Sequence, residues 1–168
     1  MTTIHNLNPE KRPGARVLLF DCEKNLLLFE TSTNPSDSND EIIWMTPGGA
    51  SELNEKPSET ALRELYEETG FSPPLKKCVW VRDWVWYHSG YEKWYDTHEY
   101  FYVAELTRES PKIKPTKDDE LVTLMSYKWM NLEQISQLNE KTSPIKLKEL
   151  LIPIITGNYP EKPLSIGQ

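Results

Sequence analysis

The amino-acid sequence predicts an α/β (α+β) fold in which helices cover both faces of a mixed sheet. Short apolar runs bounded by turn-forming residues are more numerous than amphipathic segments, which indicates that strands outnumber helices. The longest helical segments flank the strands along the chain. Because an exposed apolar sheet face has to be covered, we expect a helical layer on each side of the sheet.

Length, charge and composition limit the possible classes of protein. The 168 residues suit one domain, and we expect residues 1–13 to form a loose lead-in and residues 158–168 a loose tail. The formal net charge of -7 disfavours nonspecific binding to nucleic acid or to an anionic membrane. Neither a transmembrane run nor an apolar signal segment is present, so we expect a cytoplasmic protein. Cys22 and Cys78 lie in apolar runs and are expected to be buried, reduced thiols.

The first half of the chain predicts a pair of strands, a loop and a short third strand. The apolar runs 15–20 and 26–29 are joined by a short turn-forming segment, which is typical of two paired strands. Residues 31–40, TSTNPSDSND, are polar and turn-forming, so we interpret them as a loop inserted at the surface. The apolar run 42–45 predicts a strand that leads into a Thr-Pro-Gly-Gly segment.

The second half predicts three strands followed by two helices. Both alternate sets of side chains in 76–87 are apolar, which is typical of a strand covered on both faces. Asn131 is suited to cap a short helix. The other predicted segments are a loop at 88–97, a strand at 99–106, a polar connection at 107–120, a strand at 121–130 and a helix at 143–155.

One helix is predicted to begin near Lys56 and Pro57 and to end at Gly70. Proline suits the first helical position, and glycine readily takes the left-handed conformation that ends a helix. Helical spacing places Ala61, Leu62, Leu65 and Thr69 on an apolar side, and Glu64, Glu67 and Glu68 together on an acidic side. Like charges at this spacing repel, so the acidic side is either a solvated surface or a site for a cation. Oxygen-only sites favour hard divalent cations, above all Mg2+.

The segment Gly49 to Phe71 follows the pattern G-x5-E-x7-REL-x-EE-x-GF. This resembles the Nudix box, the signature of the Nudix hydrolases, and it matches at every fixed position. The resemblance implies an alpha-beta-alpha sandwich and an Mg2+-dependent pyrophosphohydrolase, with Mn2+ as a possible substitute. In such an enzyme, water attacks phosphorus in the diphosphate linkage of a small nucleotide substrate.

The resemblance also implies roles for residues of the box. It makes Glu64, Glu67 and Glu68 metal ligands, and by position it adds the backbone carbonyl of Gly48. It implies that Glu55 supports the catalytic water or the metal ions.

Arg63 and the general base have alternative interpretations. Arg63 either contacts phosphate or, as we favour, holds a carboxylate such as Glu55 in a two-pronged ion pair. Glu68 and Glu120 are both candidates for the general base. Glu120 precedes a predicted strand among other charged residues, so it is equally consistent with a solvated turn.

Residues for substrate binding are less clearly marked. Aromatic faces can stack on a nucleobase, and we expect Tyr91, Trp94 and Tyr95 to be candidates for this from a loop. Trp84 and Trp86, inside a predicted strand, are interpreted as core residues. Tyr87 follows the box at about the distance at which a tyrosine is found in one subgroup of Nudix hydrolases. In this respect the chain resembles the subgroup that cleaves dinucleoside polyphosphates. Three arginines could reach phosphates or could be ordinary surface charges, namely Arg12, Arg16 and Arg82.

Two other functions fit the same sequence. A nucleotide-binding domain without activity is expected to lack some of the box carboxylates, whereas this chain has all of them. An enzyme that processes RNA 5′ ends would bind a long polyanion, which the negative net charge disfavours. A homodimer is possible, but no segment marks an interface.

Overall fold

The structure, a computed structural model, describes residues 8–114 and 123–167. Within these residues the strands are β1 Glu10–Lys11, β2 Gly14–Phe20, β3 Leu26–Ser32, β4 Ile43–Met45, β5 Gly48–Ala50, β6 Cys78–His88, β7 Lys93–Glu105, β8 Thr123–Met130, β9 Lys141–Ser143 and β10 Leu164–Ile166. The helices are α1 Pro57–Thr69, α2 Leu132–Ser136 and α3 Leu147–Ile155.

These strands form one mixed sheet in the order β10-β6-β7-β2-β3-β4-β9. Three more strands lie off this path, because β1 pairs with β7, β5 with β2 and β8 with β3. β2 is parallel to β7 and antiparallel to β3 and β5. The predicted mixed sheet is confirmed.

Helices cover both faces of the sheet because the side chains of β2 and β3 alternate between two apolar clusters. One cluster contains Val17, Leu19, Leu27 and Phe29 together with Ala61 and Leu65 of α1. The other contains Leu18, Phe20, Leu26 and Leu28 together with Ile135 of α2 and Leu147 and Leu151 of α3. The predicted sandwich with a helical layer on each side is therefore confirmed.

α1 begins and ends where the sequence predicts. The backbone N–H of Lys56 donates to the carboxylate of Glu59 at 2.9 Å, so a side chain satisfies the start of the helix although Lys56 is not a favoured cap. Gly70 adopts φ 77° and donates its N–H to Tyr66 O. The buried side of α1 differs from the predicted apolar side at one position. Leu62 is exposed, whereas Glu68 is buried.

The predicted loop over 88–97 is wrong for most of its length. β6 and β7 form a hairpin in which Tyr87 pairs with Trp94 and His88 with Lys93, so the connection is confined to 89–92. Cross-strand pairs of aromatic residues, such as Tyr87 with Trp94 and Trp86 with Tyr95, extend both strands beyond the segment that the apolar pattern marks. Trp94 therefore lies in a strand and not in a loop.

Both ends of the described chain join the sheet. Glu10 and Lys11 pair with β7, and Leu164–Ile166 pair with β6, where Ile166 is buried. Both segments differ from the predicted loose lead-in and tail. The predicted C-terminal helix is shorter than 143–155, because Ser143 ends β9 and α3 starts at Leu147.

Two further expectations differ from the structure. Cys22 is exposed at the turn after β2 and Cys78 is half-buried at the start of β6, so neither is a fully buried thiol. Each cysteine lies at one end of its apolar run, next to a turn or loop. Among the described residues, every helix is too short or too polar to span a membrane.

Candidate active site

The acidic side of α1 faces β5, which carries the two glycines of the box. Glu68 is buried, and its Oε2 accepts a hydrogen bond from the backbone N–H of Gly48 at 2.8 Å. The carboxyl group of Glu64 lies so close to Gly49 that a Cβ there would approach within 2.6 Å of it. Glycine at this position therefore lets the carboxylate pack directly against the backbone of β5.

Arg63 connects these carboxylates to the loop before the helix. Its guanidinium forms a two-pronged ion pair with Glu55, with Nε–Oε1 and Nη2–Oε2 distances of 2.8 and 2.9 Å. Nη1 also donates to Glu64 at 2.7 Å and to Glu67 at 3.3 Å, and Nη2 donates to the carbonyl of Ala50. The predicted ion pair between Arg63 and Glu55 is thus present, and the same arginine contacts two of the predicted metal ligands.

The charges of this cluster are mutually stabilising. Hydrogen bonds from Arg63 lower the pKa of Glu55 to about 2, outweighing the opposing effect of burial. The same hydrogen bonds, together with the nearby charge of Glu64, raise the pKa of the Arg63 guanidinium. The side chain of Glu67 is about one-fifth exposed, so the cluster opens to solvent on one side.

Whether this cluster suits a metal ion depends on the position of Arg63. In the part of the chain that the structure describes, no three His, Cys, Asp or Glu side chains already stand as a metal-binding cluster. The guanidinium occupies the cationic position between Glu64 and Glu67. The donors are carboxylate oxygens, the type that hard divalent cations prefer, and Glu68 adds a buried carboxylate beside Gly48. The donor set fits such a cation once Glu64 and Glu67 turn away from Arg63.

Gly48 also lines a cavity of about 250 Å³. Its wall includes Arg12, Arg16, Asp40, Gly48, Trp84 and Tyr87. The cavity therefore combines two cationic side chains, two anionic ones (Asp40 and Glu41) and aromatic surface. The indole Nε1 of Trp84 is buried and has no acceptor among the described residues, so a bound molecule could accept its hydrogen bond.

Arg16 and Arg82 are both buried on one carboxylate. Arg16 Nε donates to Glu99 Oε1 at 2.7 Å, and Arg82 Nε donates to Glu99 Oε2 at 3.0 Å. Burial opposes the ionisation of Glu99, but the two arginines lower its pKa to about 2. Arg16 reaches the wall of the cavity, whereas Arg82 lies behind it and donates to Ser143 Oγ at 2.8 Å.

The predicted aromatic residues are divided between the cavity and the outer hairpin. Tyr87 lies at the cavity wall, and its ring centroid is 5.2 Å from that of Trp94 on the neighbouring strand. Tyr91, in the hairpin turn, stacks on His88 at 4.3 Å. The structure thus places Tyr87 at the cavity, but Tyr91 and Trp94 are not among the residues that line it.

The loop over residues 33–40 is anchored to the hairpin and does not behave as a simple insertion. Asp40 accepts hydrogen bonds from Ser32 Oγ at 2.7 Å, from the N–H of Asn34 at 2.8 Å and from Ser89 Oγ at 2.6 Å. Burial raises the pKa of Asp40, but the hydrogen bonds outweigh it and lower the pKa to about 2. The loop thereby forms one side of the cavity.

Sequence reasoning missed several residues of this site. Trp84 and Trp86 were interpreted as core residues but line the cavity, and Asp40 and Glu99 were not singled out. An aspartate after a Ser- and Thr-rich run signals a hydrogen-bonded turn, which could have identified Asp40. Glu120 lies outside the described residues.

Comparison with known proteins agrees with this geometry. A curated relative from Bartonella clarridgeiae, named RNA pyrophosphohydrolase, is 26% identical over 139 residues, covering 73% of this chain and 77% of its own. A protein of the same name from Roseobacter denitrificans is 42% identical over 82 residues, covering 48% of each chain.

Solved structures and a family model point the same way. The crystal structure of a MutT protein from Methanosarcina mazei Go1 superimposes with a TM-score of 0.64 at 18% identity, covering 94% of this chain and all of that one. The NUDIX domain family model matches residues 10–151, which include α1 and every strand described here except β10. The chain belongs to the Nudix family.

Proposed function

We propose that the protein is an Mg2+-dependent pyrophosphohydrolase that cleaves the diphosphate linkage of a nucleotide, with attack by water at phosphorus. The observation that carries this proposal is that Gly48 contacts both parts of the site, since its N–H donates to Glu68 of α1 and it also lines the cavity. A nucleotide whose base or sugar entered the cavity would extend its phosphates towards the carboxylates.

Gly48, Glu64, Glu67 and Glu68 would hold the metal. When bound, a divalent cation neutralises phosphate charge and acidifies coordinated water. Oxygen donors favour Mg2+, and Mn2+ would be a substitute. The rest of the site is formed by the chain itself.

The ion pair between Arg63 and Glu55 fixes the loop and the helix relative to each other. Arg63 also reaches Glu64 and Glu67, so it would neutralise these carboxylates until a metal ion takes their oxygens, and it would keep its ion pair with Glu55 afterwards. Arg16, at the cavity wall, is placed to contact a phosphate, and Tyr87 is placed to stack on a base.

The general base remains one of two residues. Glu68 is buried beside Gly48, within the site, and Glu120 remains a candidate from the sequence alone. If Glu120 is the base, replacing it with Gln should reduce turnover by well over tenfold, because loss of a general base typically costs on the order of 100-fold. Turnover close to that of the parent would leave Glu68 as the candidate.

RNA 5′ ends are a second possible substrate, because the two curated relatives described above are named RNA pyrophosphohydrolases. The negative net charge weighs against a long polyanion, so we favour a small nucleotide. A binding domain without activity is disfavoured, since Glu64, Glu67 and Glu68 are all retained.

A substrate panel tests these proposals. ATP, a dinucleoside tetraphosphate, ADP-ribose and a 5′-triphosphorylated RNA oligonucleotide would each be incubated with the protein and Mg2+, and the products separated by chromatography. We expect hydrolysis of a small nucleotide with kcat/KM above that for the RNA. Preference for the RNA would select the second substrate class, and no hydrolysis of any compound would contradict the enzymatic proposal. The predicted cytoplasmic location and homodimer stay predictions.

A further inference from the structure

We propose that Glu99 and Arg82 are positioning residues that hold the guanidinium of Arg16 at the cavity wall, where it contacts the phosphate chain of the substrate. This inference rests on the proposed function, because it assigns a role within the same site. It gives Arg82 an indirect part in substrate binding, since that side chain lies behind the wall.

The three side chains come from three adjacent strands. Arg82 on β6 is the register partner of Glu99 on β7, and β7 in turn pairs with β2, which carries Arg16. Glu99 divides its two oxygens between the arginines, with Oε1 facing Arg16 and Oε2 facing Arg82. A change in the position of Glu99 would therefore move Arg16.

Arg82 is fixed on several sides. Its Nη1 donates to Ser143 Oγ on β9 at 2.8 Å, and its guanidinium carbon lies 4.3 Å from the ring centroid of Trp84. The side chain is completely buried. Because Arg82 is fixed in this way, Glu99 has one preferred position. Glu99 in turn holds Arg16 in one position.

Arg16 is directed towards the segment that leads into β5. Its Nη1 donates to the carbonyl of Thr46 at 2.9 Å, and in the pairing of β2 with β5 it stands opposite Gly48. A phosphate chain that extends from the acidic side of α1 into the cavity would pass this guanidinium. A guanidinium matches phosphate oxygens in both charge and geometry.

The charge of the group favours an anion. Two arginines and one glutamate leave one excess positive charge within this cluster, while the acidic residues Asp40 and Glu41 line another part of the cavity wall. Burying ionic groups costs desolvation free energy, and apolar side chains of similar volume often stabilise a protein at least as well. Packing alone does not require a buried ionic cluster at this place. Contact between its excess charge and an anion in the cavity would explain why the cluster is there.

The experiment compares variants of the cluster with a matched control on β7. Glu99→Gln keeps the side-chain shape but removes the charge that holds Arg16, and Arg82→Lys keeps the charge but not the two-pronged contact. Glu105→Gln is the control, because Glu105 also lies on β7 and bridges Lys24 and Lys76 at the surface. Folding of each variant would be checked by circular dichroism and thermal unfolding.

Binding would be measured by calorimetry with an ATP analogue in which methylene groups replace both bridging oxygens, so that the result does not depend on turnover. We expect Kd to rise about tenfold for Glu99→Gln and for Arg16→Lys, and about threefold for Arg82→Lys, as loss of a charge-assisted hydrogen bond predicts. With a hydrolysed nucleotide, KM should rise similarly while kcat stays within about threefold, the pattern of lost binding common to ground and transition states. Glu105→Gln should bind as the parent does.

A folded Glu99→Gln variant with the parent's Kd would overturn the inference, even if it were less stable. If that variant does not fold, Arg82→Lys decides, and unchanged binding there overturns the inference. Failure of the parent to bind the analogue overturns it as well. A parent that binds the analogue but hydrolyses no nucleotide would contradict the proposed function alone.

Discussion

Two arginine–glutamate clusters lie near Gly48, and they differ in both charge and burial. On α1, one arginine, Arg63, forms ion pairs with four glutamates, and its side chain is 21% exposed. Between the strands, one glutamate, Glu99, contacts two arginines, and the side chain of Arg82 is 0% exposed. The first cluster has an excess of negative charge and the second an excess of positive charge.

The difference shows how one site can serve both a cation and an anion. The acidic cluster opens to water, so its excess charge is screened and a metal ion can enter it. The buried cluster loses that screening and needs fixed hydrogen bonds to keep its charges in place. A bound nucleotide would place metal-coordinated phosphates at the first cluster and an anionic oxygen at the second.

The largest expected effect comes from breaking the acidic cluster. Glu67→Gln keeps the side-chain shape but removes one charge and one oxygen donor from the predicted metal site. We expect kcat/KM to fall on the order of 100-fold or more, because loss of a group that supports charge in the transition state has effects of this size. Activity on the best substrate of the panel, measured across Mg2+ concentrations, checks this.

The control for Glu67→Gln is Glu149→Gln, which removes one charge from the exposed side of α3. Both variants should unfold within about 2 °C of the parent, since exposed or partly exposed substitutions have small effects on stability. If Glu67→Gln turned over substrate at the parent's rate, the metal site would be wrongly assigned.

A smaller effect is expected from loosening the acidic cluster without changing its charge. Arg63→Lys keeps the cation, but an ammonium group cannot hold Glu55 by two parallel bonds and also reach Glu64 and Glu67. We expect activity to fall about tenfold, which is typical when the partner of a metal ligand is changed. Steady-state kinetics would measure it.

Arg108→Lys, at an exposed position of the chain, should leave activity unchanged. Parent-like activity of Arg63→Lys would mean that the two-pronged contact with Glu55 is not needed for turnover. The acidic cluster would then act through its charge alone, unlike the buried cluster, which depends on geometry.

The two clusters also differ in how far the sequence predicts them. Helical spacing places Glu64, Glu67 and Glu68 on one side of α1, and the box pattern supplies their family, so the confirmed family, fold class and hydrolase class follow from one local segment. Short-range geometry was enough here, because residues three and four apart in a helix are neighbours.

The buried cluster depends on strand pairing, which cannot be read from local patterns in the sequence. Arg16, Arg82 and Glu99 meet only because β2 lies parallel to β7 and β7 pairs with β6 in one particular register. Every residue of β2 is buried, so alternation of polar and apolar side chains does not mark Arg16 as special. The aromatic residues of β6 were misjudged for the same reason, because apolar side chains in a covered strand can face a core or a cavity.

One carboxylate outside both clusters sharpens the comparison, because hydroxyl and N–H groups rather than an arginine hold it. Asp40 accepts hydrogen bonds from Ser32, Asn34 and Ser89 and ties the loop over residues 33–40 to the hairpin. Asp40→Asn replaces one acceptor oxygen with a donor, so we expect about 1 kcal/mol less stability and a fall of ~3 °C in unfolding temperature at neutral pH. KM should rise by less than about threefold, since the cavity wall shifts but its charged residues remain.

The difference in unfolding temperature between the parent and Asp40→Asn is expected to depend on pH. Hydrogen bonding lowers the pKa of Asp40 from 3.8 to about 2 in the folded protein, despite burial. Its contribution to stability is therefore complete above the unfolded pKa and is lost as pH falls towards about 2. The gap in unfolding temperature between parent and Asp40→Asn should be constant from pH 7 to pH 5 and narrow below pH 4. A gap that widened in acid would show that the carboxylate is not held in its ionised form, and that only arginine contacts stabilise carboxylates in this site.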